Sequence, residues 1–79
     1  MTDDNKIRRR VEIFMEPVEL HKILKFENLA ASGGEAKFRI QDGQVKVNGQ
    51  TETRKRRKIR PGDVIETPEA VLTIVKSEP

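Results

Sequence analysis

Cysteine, tryptophan and tyrosine are absent from this chain, and histidine occurs once, as His21. The lack of cysteine excludes a disulfide framework, which fits a reducing compartment, and one histidine without cysteine cannot form a structural zinc site. No apolar run approaches the roughly 20 residues that cross a membrane, and the N-terminus has no signal-peptide core. We therefore predict a cytoplasmic protein that contacts no membrane and needs no metal ion or cofactor.

The residues that catalysis needs are equally scarce. His21 would require a nucleophile and an orienting carboxylate to act as a general base, and the sequence supplies no such set. Carboxylates such as Asp63 and Glu66 are spaced like turn and strand-surface residues, and no phosphate-binding loop motif is present. We predict that the protein is not an enzyme.

A chain of 79 residues has room for one domain, which we predict to span residues 1–79 with disordered ends at 1–5 and 77–79. A domain this small buries only about 60% of the surface of its unfolded chain. With hydrophobic residues at 34%, little is left to line a pocket beside the core. We expect a monomer that takes no small-molecule substrate.

The first quarter of the chain carries one strand pattern and one helix pattern. Hydrophobicity alternates along residues 6–14, which predicts a β-strand. Pro17 then stands where the first turn of a helix tolerates proline. Apolar residues follow at helical spacing, so we predict a helix of about ten residues that buries the side of Leu20 and Leu24. Asn28 is the expected cap at its C-terminal end.

A second helix has clear signals at both ends. Ser32 and Glu35 form a capping box, in which the hydroxyl and the carboxylate each accept a hydrogen bond from a free N–H group at the helix start. Gly43 ends the helix because glycine adopts the left-handed conformation without penalty. Ile40 lies on the buried side. Phe38 lies off that side, where it is placed either to stack on a base or to pack beneath the N- or C-terminal strands. We predict packing because a small core rarely spares a phenylalanine.

The second half of the chain predicts β-structure. Asn48 and Gly49 are typical of a type I′ hairpin turn, with Val45 and Val47 directed inward. Pro61, Gly62 and Asp63 predict another turn. The predicted strands of this half are residues 44–48, 50–53, 64–67 and 70–75. Together these patterns predict an α+β fold with two short helices on a small, mostly antiparallel sheet that has an added N-terminal strand.

Positive charge is concentrated in one span, although the net charge is only +3. Residues 32–60 hold nine Lys/Arg against three acids, so the rest of the chain carries a net −3. Within this span, residues 54–60 read RKRRKIR, and the position of this run between two strand patterns predicts an ordered basic ridge. A basic patch on an acidic body is typical of a protein that binds a polyanion with salt-sensitive affinity.

Two further features each have two interpretations. Gly33 and Gly34, in the first turn of the second helix, either leave backbone N–H groups open to a phosphate or allow the two helices to approach closely. The Arg triplet at residues 8–10 either extends the basic surface or is a charged strand edge that discourages aggregation. The sequence alone decides neither.

A set of spaced residues recurs in a known family: Leu20, Leu24, Ser32, Ala36, Ile40, Gly43, Val45, Val47, Asn48, Gly49, Gly62 and Asp63. With them, residues 18–65 resemble the RNA-binding domain first known from ribosomal small-subunit protein four, also called the alpha-L motif. The chain is also similar to small stand-alone bacterial proteins of the YbcJ type. The motifs shared with those proteins are V-E-L, S-G-x-x-A-K, G-x-V-K-V-x-G and E-T-R-K-R-x-K-I, at residues 18–20, 32–37, 43–49 and 52–59.

The resemblance implies an alpha-L fold in which the second helix and the hairpin form an RNA-facing surface, with basic side chains holding phosphates. The wider family often places an Arg directly after the helix-capping Ser, where this chain has Gly33. Lys37, one turn on, is the candidate substitute. The wider family also joins this domain to pseudouridine synthases and tRNA synthetases. No catalytic domain accompanies it here, so the resemblance implies binding alone.

We predict a non-catalytic protein that binds structured RNA, such as ribosomal or transfer RNA, through the second helix and the following hairpin. Many cations and only three Phe suit A-form RNA and argue against stacking on single-stranded bases. The alternatives are duplex DNA and an acidic protein partner, for which Phe38 is the candidate apolar anchor. The predicted RNA-binding residues are Gly33, Gly34, Lys37, Lys46, Arg54, Lys55, Arg56, Arg57 and Lys58.

Overall fold

The computed structural model describes residues 6–77. The ends predicted to be disordered lie outside the described residues, except for Ser77, whose N–H donates to the Ile13 carbonyl over 3.0 Å. No helix in residues 6–77 has the length and hydrophobicity needed to cross a bilayer. The elements, in chain order, are β1 (Ile7–Ile13), β2 (Val18–Glu19), α1 (Leu20–Phe26), α2 (Gly33–Gln41), β3 (Lys46–Val47), β4 (Gln50–Thr51), β5 (Lys58–Ile59), β6 (Val64–Glu66) and β7 (Ala70–Lys76).

The strands form a five-stranded sheet in the order β1-β7-β6-β3-β4 and a two-stranded sheet of β2 and β5. β1 runs parallel to β7, in a register from Ile7 opposite Ala70 to Ile13 opposite Lys76. The other pairs within residues 6–77 are antiparallel. A parallel pair needs a long crossover, and here both helices and five strands lie between the two partners. The predicted α+β fold, a mostly antiparallel sheet with an added N-terminal strand, is confirmed.

The core is aliphatic. Phe14, Phe26 and Phe38 are 85%, 69% and 60% exposed, so the prediction that Phe38 packs beneath the strands is wrong. Successive helical residues are about 100° apart, so a side chain two positions from both Ala36 and Ile40 lies opposite the side on which those two are buried. The buried hydrophobic residues are Val11, Ile13, Leu20, Ile23, Leu24, Ala30, Ala36, Ile40, Val45, Val47, Ile59, Ile65, Ala70, Leu72 and Ile74.

α1 begins later than predicted because the residues after Pro17 pair as a strand. Val18–Glu19 lies antiparallel to Lys58–Ile59, which holds that segment extended. The helix then runs Leu20–Phe26 and buries the predicted side. The C-cap is Glu27, one residue before the predicted Asn28, and Asn28 follows it in a left-handed conformation with φ 60°, which ends the helix.

The capping box of α2 forms, with one difference from the prediction. Ser32 Oγ accepts a hydrogen bond from the Glu35 N–H at 3.1 Å, as expected. The Glu35 carboxylate accepts from the N–H of Ala31, at 2.7 Å, which is the residue before the cap rather than the cap itself. Gly43 has a φ of +82°, so the predicted left-handed stop is confirmed.

The two predicted turns of the second half are bonded to each other. Asn48 and Gly49 have φ values of 53° and 85°, as a type I′ turn requires. The Asn48 side chain accepts from the Val64 N–H at 2.9 Å and donates to Asp63 Oδ1 at 3.0 Å. Partial burial raises the pKa of Asp63, but hydrogen bonds from the Arg60 N–H and from Asn48 outweigh it and hold that pKa below its usual range. The hairpin therefore has a fixed position relative to β6.

Candidate nucleic-acid interface

The loop of residues 52–57, between β4 and β5, holds the first four residues of the basic run. At the start of this loop, Glu52 turns inward and is 6% exposed, which ends β4 two residues before the predicted strand end. After the loop, β5 pairs with β2 and buries Ile59 completely. The loop is therefore anchored by a buried residue on each side.

The middle of this loop is held by the start of α1. The carbonyl oxygens of Lys55 and Arg57 accept hydrogen bonds from the N–H groups of His21 and Leu20, at 3.2 and 2.9 Å. The first N–H groups of a helix have no partner inside the helix, and α1 has no side-chain cap. The loop backbone takes the place of that cap, so folding of α1 and placement of the basic loop depend on the same hydrogen bonds.

Glu52 organises the basic side chains from beneath. Its carboxylate accepts from the Arg54 N–H at 2.9 Å, from Arg54 Nε and Nη2 at 2.9 and 3.0 Å, and from Arg57 Nη1 at 2.7 Å. The side-chain hydrogen bonds from Arg54, opposed by burial, lower the pKa of Glu52 to about 2. The same carboxylate raises the pKa of Arg54. Glu52 is thus ionised near neutral pH and fixes two guanidinium groups.

An open groove of about 1010 Å³ runs along this loop. Six of its ten lining residues are Lys or Arg, and Asp63 is the one acid among them. Positive charges along an open groove produce an electric field that attracts a polyanion. The lining residues are Gln41, Thr53, Arg54, Lys55, Arg56, Arg57, Lys58, Arg60, Pro61 and Asp63.

The cations of the groove differ in exposure and in the hydrogen bonds and salt bridges that they make within the protein. Lys55 and Arg56 make no side-chain hydrogen bond or salt bridge within residues 6–77. Arg54 is held by Glu52, yet 72% of its side chain is exposed. Arg57 is 32% exposed, and the Nζ of Lys58 lies 3.9 Å from a Glu19 oxygen. Lys55 and Arg56 can therefore bind a phosphate without breaking a hydrogen bond or salt bridge within residues 6–77.

Four of the nine predicted RNA-binding residues do not line the groove. Lys46, on β3, lies opposite Glu66 in a separate surface hollow that also includes Lys6. Gly33, Gly34 and Lys37 lie on α2 and line no part of the groove. The structure thus brings together residues 54–58 and leaves the other four outside.

Five groove residues were missing from the prediction: Gln41, Thr53, Arg60, Pro61 and Asp63. Arg60 is the one cation among them. It belongs to the basic run of residues 54–60 and follows the buried Ile59, so the run itself carried the signal. Gln41 has no signal in the sequence, because only the packing of the C-terminal end of α2 beside the loop places it there.

A family model of the S4 domain matches residues 11–75. The chain belongs to the S4 domain family. It is 52% identical over 48 residues to the Escherichia coli (strain K12) protein named "Putative RNA-binding protein YbcJ", across 61% of this chain and 69% of that protein. It is 36% identical over 56 residues to the Bacillus subtilis (strain 168) protein named "Probable ribosome maturation protein RlbA", across 71% of this chain and 79% of that one.

The solution structure of E. coli YbcJ is similar to this S4 domain in three dimensions. The two match with a TM-score of 0.65 and 39% identity, over 84% of this chain and 85% of the other. That structure is described as an alpha-L motif involved in RNA binding. The predicted resemblance to the alpha-L family and to YbcJ-type proteins is confirmed.

In this S4 domain, packing does not require glycine at the start of α2. A Cβ placed on Gly33 would meet no atom within 4 Å, and one on Gly34 would meet only Ser32 Oγ at 3.8 Å. The interpretation that these glycines allow two helices to approach closely is therefore wrong. The other interpretation, backbone N–H groups open to a phosphate, stays a prediction.

Arg39 lies inside the basic span but has a structural role. Its side chain is 11% exposed and donates to both carboxylate oxygens of Glu69, at 2.8 and 2.9 Å, and to the Leu29 carbonyl at 2.6 Å. It also donates to Gln44 at 2.9 Å, and its hydrogen bonds lower the pKa of Glu69. Arg39 is therefore unavailable to a phosphate.

The Arg triplet of β1 lies away from the groove. Arg9 Nη1 donates to the Glu27 carbonyl at 2.9 Å and to its carboxylate at 3.2 Å. Arg8 and Arg10 are exposed on β1, which is the edge strand at the opposite end of the five-stranded sheet from β4. None of the three lines the groove, so the triplet does not extend it.

His21 is paired rather than free. Its Nε2 lies 2.8 Å from a carboxylate oxygen of Glu19, and this hydrogen bond lowers the pKa of Glu19. In residues 6–77, no three His, Asp or Glu side chains are grouped so that they could hold a metal ion. The chemistry that these residues offer is electrostatic.

Proposed function

We propose that this protein binds structured RNA through the cation-lined groove and catalyses no reaction. The observation that carries the proposal is the set of six Lys/Arg side chains along one groove, on a loop whose backbone is hydrogen-bonded to α1 and to Glu52. Because the loop is fixed before binding, little conformational entropy is lost when phosphates bind. Double-stranded RNA is recognised mainly by its shape and backbone, which suits such a surface.

The relatives support RNA as the polyanion. YbcJ is named as a putative RNA-binding protein, and RlbA is named as a probable ribosome maturation protein. We therefore propose ribosomal RNA as the first candidate target and transfer RNA as the second, bound by a monomer in the cytoplasm. The proposed interface consists of residues 54–58 with Arg60 and Gln41. Lys37 and Lys46 would contact only an RNA that extends beyond the groove.

Neutralising the two unpaired cations tests this interface. Lys55→Gln combined with Arg56→Gln removes two positive charges without breaking a side-chain hydrogen bond or salt bridge within residues 6–77. Affinity for a structured RNA is measured at several salt concentrations, for example by fluorescence anisotropy. Each cation that contacts a phosphate adds roughly one to the slope of log affinity against log salt. We expect the slope of the double variant to be smaller by about two.

The matched control is Arg8→Gln combined with Arg10→Gln, which removes the same charge from exposed positions on β1. We expect the salt slope of this variant to equal that of the wild type. An equal loss in both double variants would mean that net charge, not the groove, determines binding. Competition by duplex DNA and by heparin at fixed salt tests the choice of polyanion. Competition by DNA as strong as that by RNA would contradict RNA as the specific target.

A further inference from the structure

Phe38 is a large aromatic side chain that is not part of the hydrophobic core. It is 60% exposed at the centre of the solvent-facing side of α2, opposite Ala36 and Ile40. The other two phenylalanines, Phe14 and Phe26, are also exposed, but both line an apolar hollow of about 450 Å³ beside β1 and α1. Phe38 does not line that hollow, so it lies apart from the other two exposed phenylalanines.

Phe38 lies one helical turn before Gln41, which lines the basic groove. Residues three and four apart on a helix are neighbours on its surface, with Cβ atoms about 5–6 Å apart. Gly34, four residues before Phe38, presents no side chain. The exposed ring of Phe38 is therefore the neighbour of a groove residue on the surface of α2.

Charge restricts the direction from which a nucleic acid can reach this ring. Glu35 and Asp42 lie on one flank of Phe38 along the helix, and Lys37 and Gln41 lie on the other. The groove is on the Gln41 side. A strand whose phosphates occupy the groove would approach Phe38 from the favourable flank. Its bases, if unpaired, would meet the ring face without an acid between them.

We propose that Phe38 stacks on an unpaired base of the RNA, immediately beside the paired segment held by the groove. This inference rests on the proposed RNA-binding function and narrows its target to RNA helices with a bulge or a junction next to the duplex. Stacking needs only the face of a base, so it tolerates any base, while the groove supplies the contacts to phosphates. A duplex without an unpaired base offers the ring nothing to stack on, because its bases are already stacked.

The test compares a blunt, fully paired RNA duplex with the same duplex carrying one bulged adenine. Phe38→Ala should weaken binding to the bulged duplex by about 5- to 150-fold, the range found when a base-stacking aromatic is replaced by alanine. Binding to the paired duplex should change less than about twofold, and the salt slope should be unchanged on both RNAs because no cation is lost. Phe26→Ala, which truncates another exposed phenylalanine outside the groove, is the matched control and should change neither affinity.

Two further variants separate stacking from a general apolar contact. Phe38→Trp should retain binding to the bulged RNA and, since the chain holds no other tryptophan or tyrosine, gives a fluorescence signal that stacking on the base should quench. Phe38→Leu keeps apolar volume but not the aromatic face, and it should lose most of the affinity that Phe38→Ala loses. Wild-type affinity of Phe38→Leu for the bulged RNA would overturn stacking, because an apolar side chain without an aromatic face would then be sufficient.

The outcomes also separate this inference from the proposed function. Salt-dependent binding of both RNAs by the wild type, with Phe38→Ala indistinguishable from it, would overturn stacking and leave the groove intact. An equal loss on paired and bulged RNA would likewise overturn it, because the ring would then act on the helix itself. Absence of salt-dependent binding by the wild type to either RNA would overturn the proposed function.

Discussion

Replacing Glu52 by Gln should destabilise the protein by an amount that the structure allows us to estimate. The pKa of Glu52 falls from an ordinary 4.5 to about 2 on folding. At about 1.36 kcal/mol per unit of pKa, this difference corresponds to an upper limit of roughly 3–4 kcal/mol of stability at neutral pH. Water screens part of that energy, because 72% of the Arg54 side chain is exposed. We therefore expect Glu52→Gln to lower the free energy of unfolding by about 1–2 kcal/mol at pH 7.

The pH dependence gives this prediction its sharpest form. A carboxyl group whose pKa is lower in the folded state stabilises the protein above its unfolded pKa, and this stabilisation is lost as the pH falls through the folded value. The contribution of Glu52 should therefore be complete above about pH 5 and should disappear as the pH falls towards 2. Urea denaturation of the wild type and of Glu52→Gln, measured from pH 7 to pH 2.5, should show two stability curves that converge at low pH.

The difference between the two curves isolates Glu52, because Glu19, Asp63, Glu66 and Glu69 also have lowered pKa values and contribute equally to both proteins. Glu66→Gln is the matched control. Its partner is Lys6 and its side chain is 32% exposed, so we expect a loss below about 1 kcal/mol. Two parallel curves, or equal stability of the wild type and Glu52→Gln at pH 7, would refute the assignment of Glu52 as the residue that holds the loop.

Two other predictions concern the fold. Gly43→Ala places a Cβ at a φ of +82° and should lower the free energy of unfolding by about 1 kcal/mol, whereas Gly33→Ala adds a methyl group in open space on a helix and should raise it by roughly 0.5 kcal/mol. The opposite signs, measured by thermal or urea denaturation, are the test. Arg39→Ala removes hydrogen bonds to Leu29, Gln44 and Glu69 that are part-buried or exposed, and it should cost about 2–3 kcal/mol, against less than about 0.5 kcal/mol for Lys37→Ala on the same helix. Equal effects of these two changes would contradict the structural role of Arg39.

The sequence predicts best where one or two residues decide the local conformation. Ser32 with Glu35 marks the start of α2, Gly43 marks its end, and Asn48-Gly49 marks the hairpin, and each is found where predicted. These signals work because they depend on hydrogen bonds or dihedral angles within a few residues. The alternation of residues 6–14 succeeds for the same reason, since side chains in a strand alternate between its two sides.

Prediction from the sequence fails where residues that are distant in the chain determine the local structure. Pro17 is a plausible helix start until β5 pairs with the residues after it, and that pairing joins segments about 40 residues apart in sequence. Lys46 looks like part of the basic surface because it is close in sequence to the run, but β3 places it opposite Glu66. Phe38 was assigned to the core because the core needs apolar volume, yet aliphatic side chains from both helices and five strands supply that volume.

Stability and binding should be separable in this loop, and the reason lies in its backbone. Three interactions hold the loop in place. The carbonyl groups of Lys55 and Arg57 accept hydrogen bonds from N–H groups of α1, Ile59 is buried, and the Glu52 carboxylate accepts from the loop backbone. Neither the Lys55 side chain nor that of Arg56 takes part in them, so both can be changed while the backbone stays in place. Arg54 and Arg57 bind Glu52 as well as lining the groove, so their replacement alters fold and charge together. A loss of RNA binding therefore identifies the groove as the interface only when it results from replacing Lys55 and Arg56.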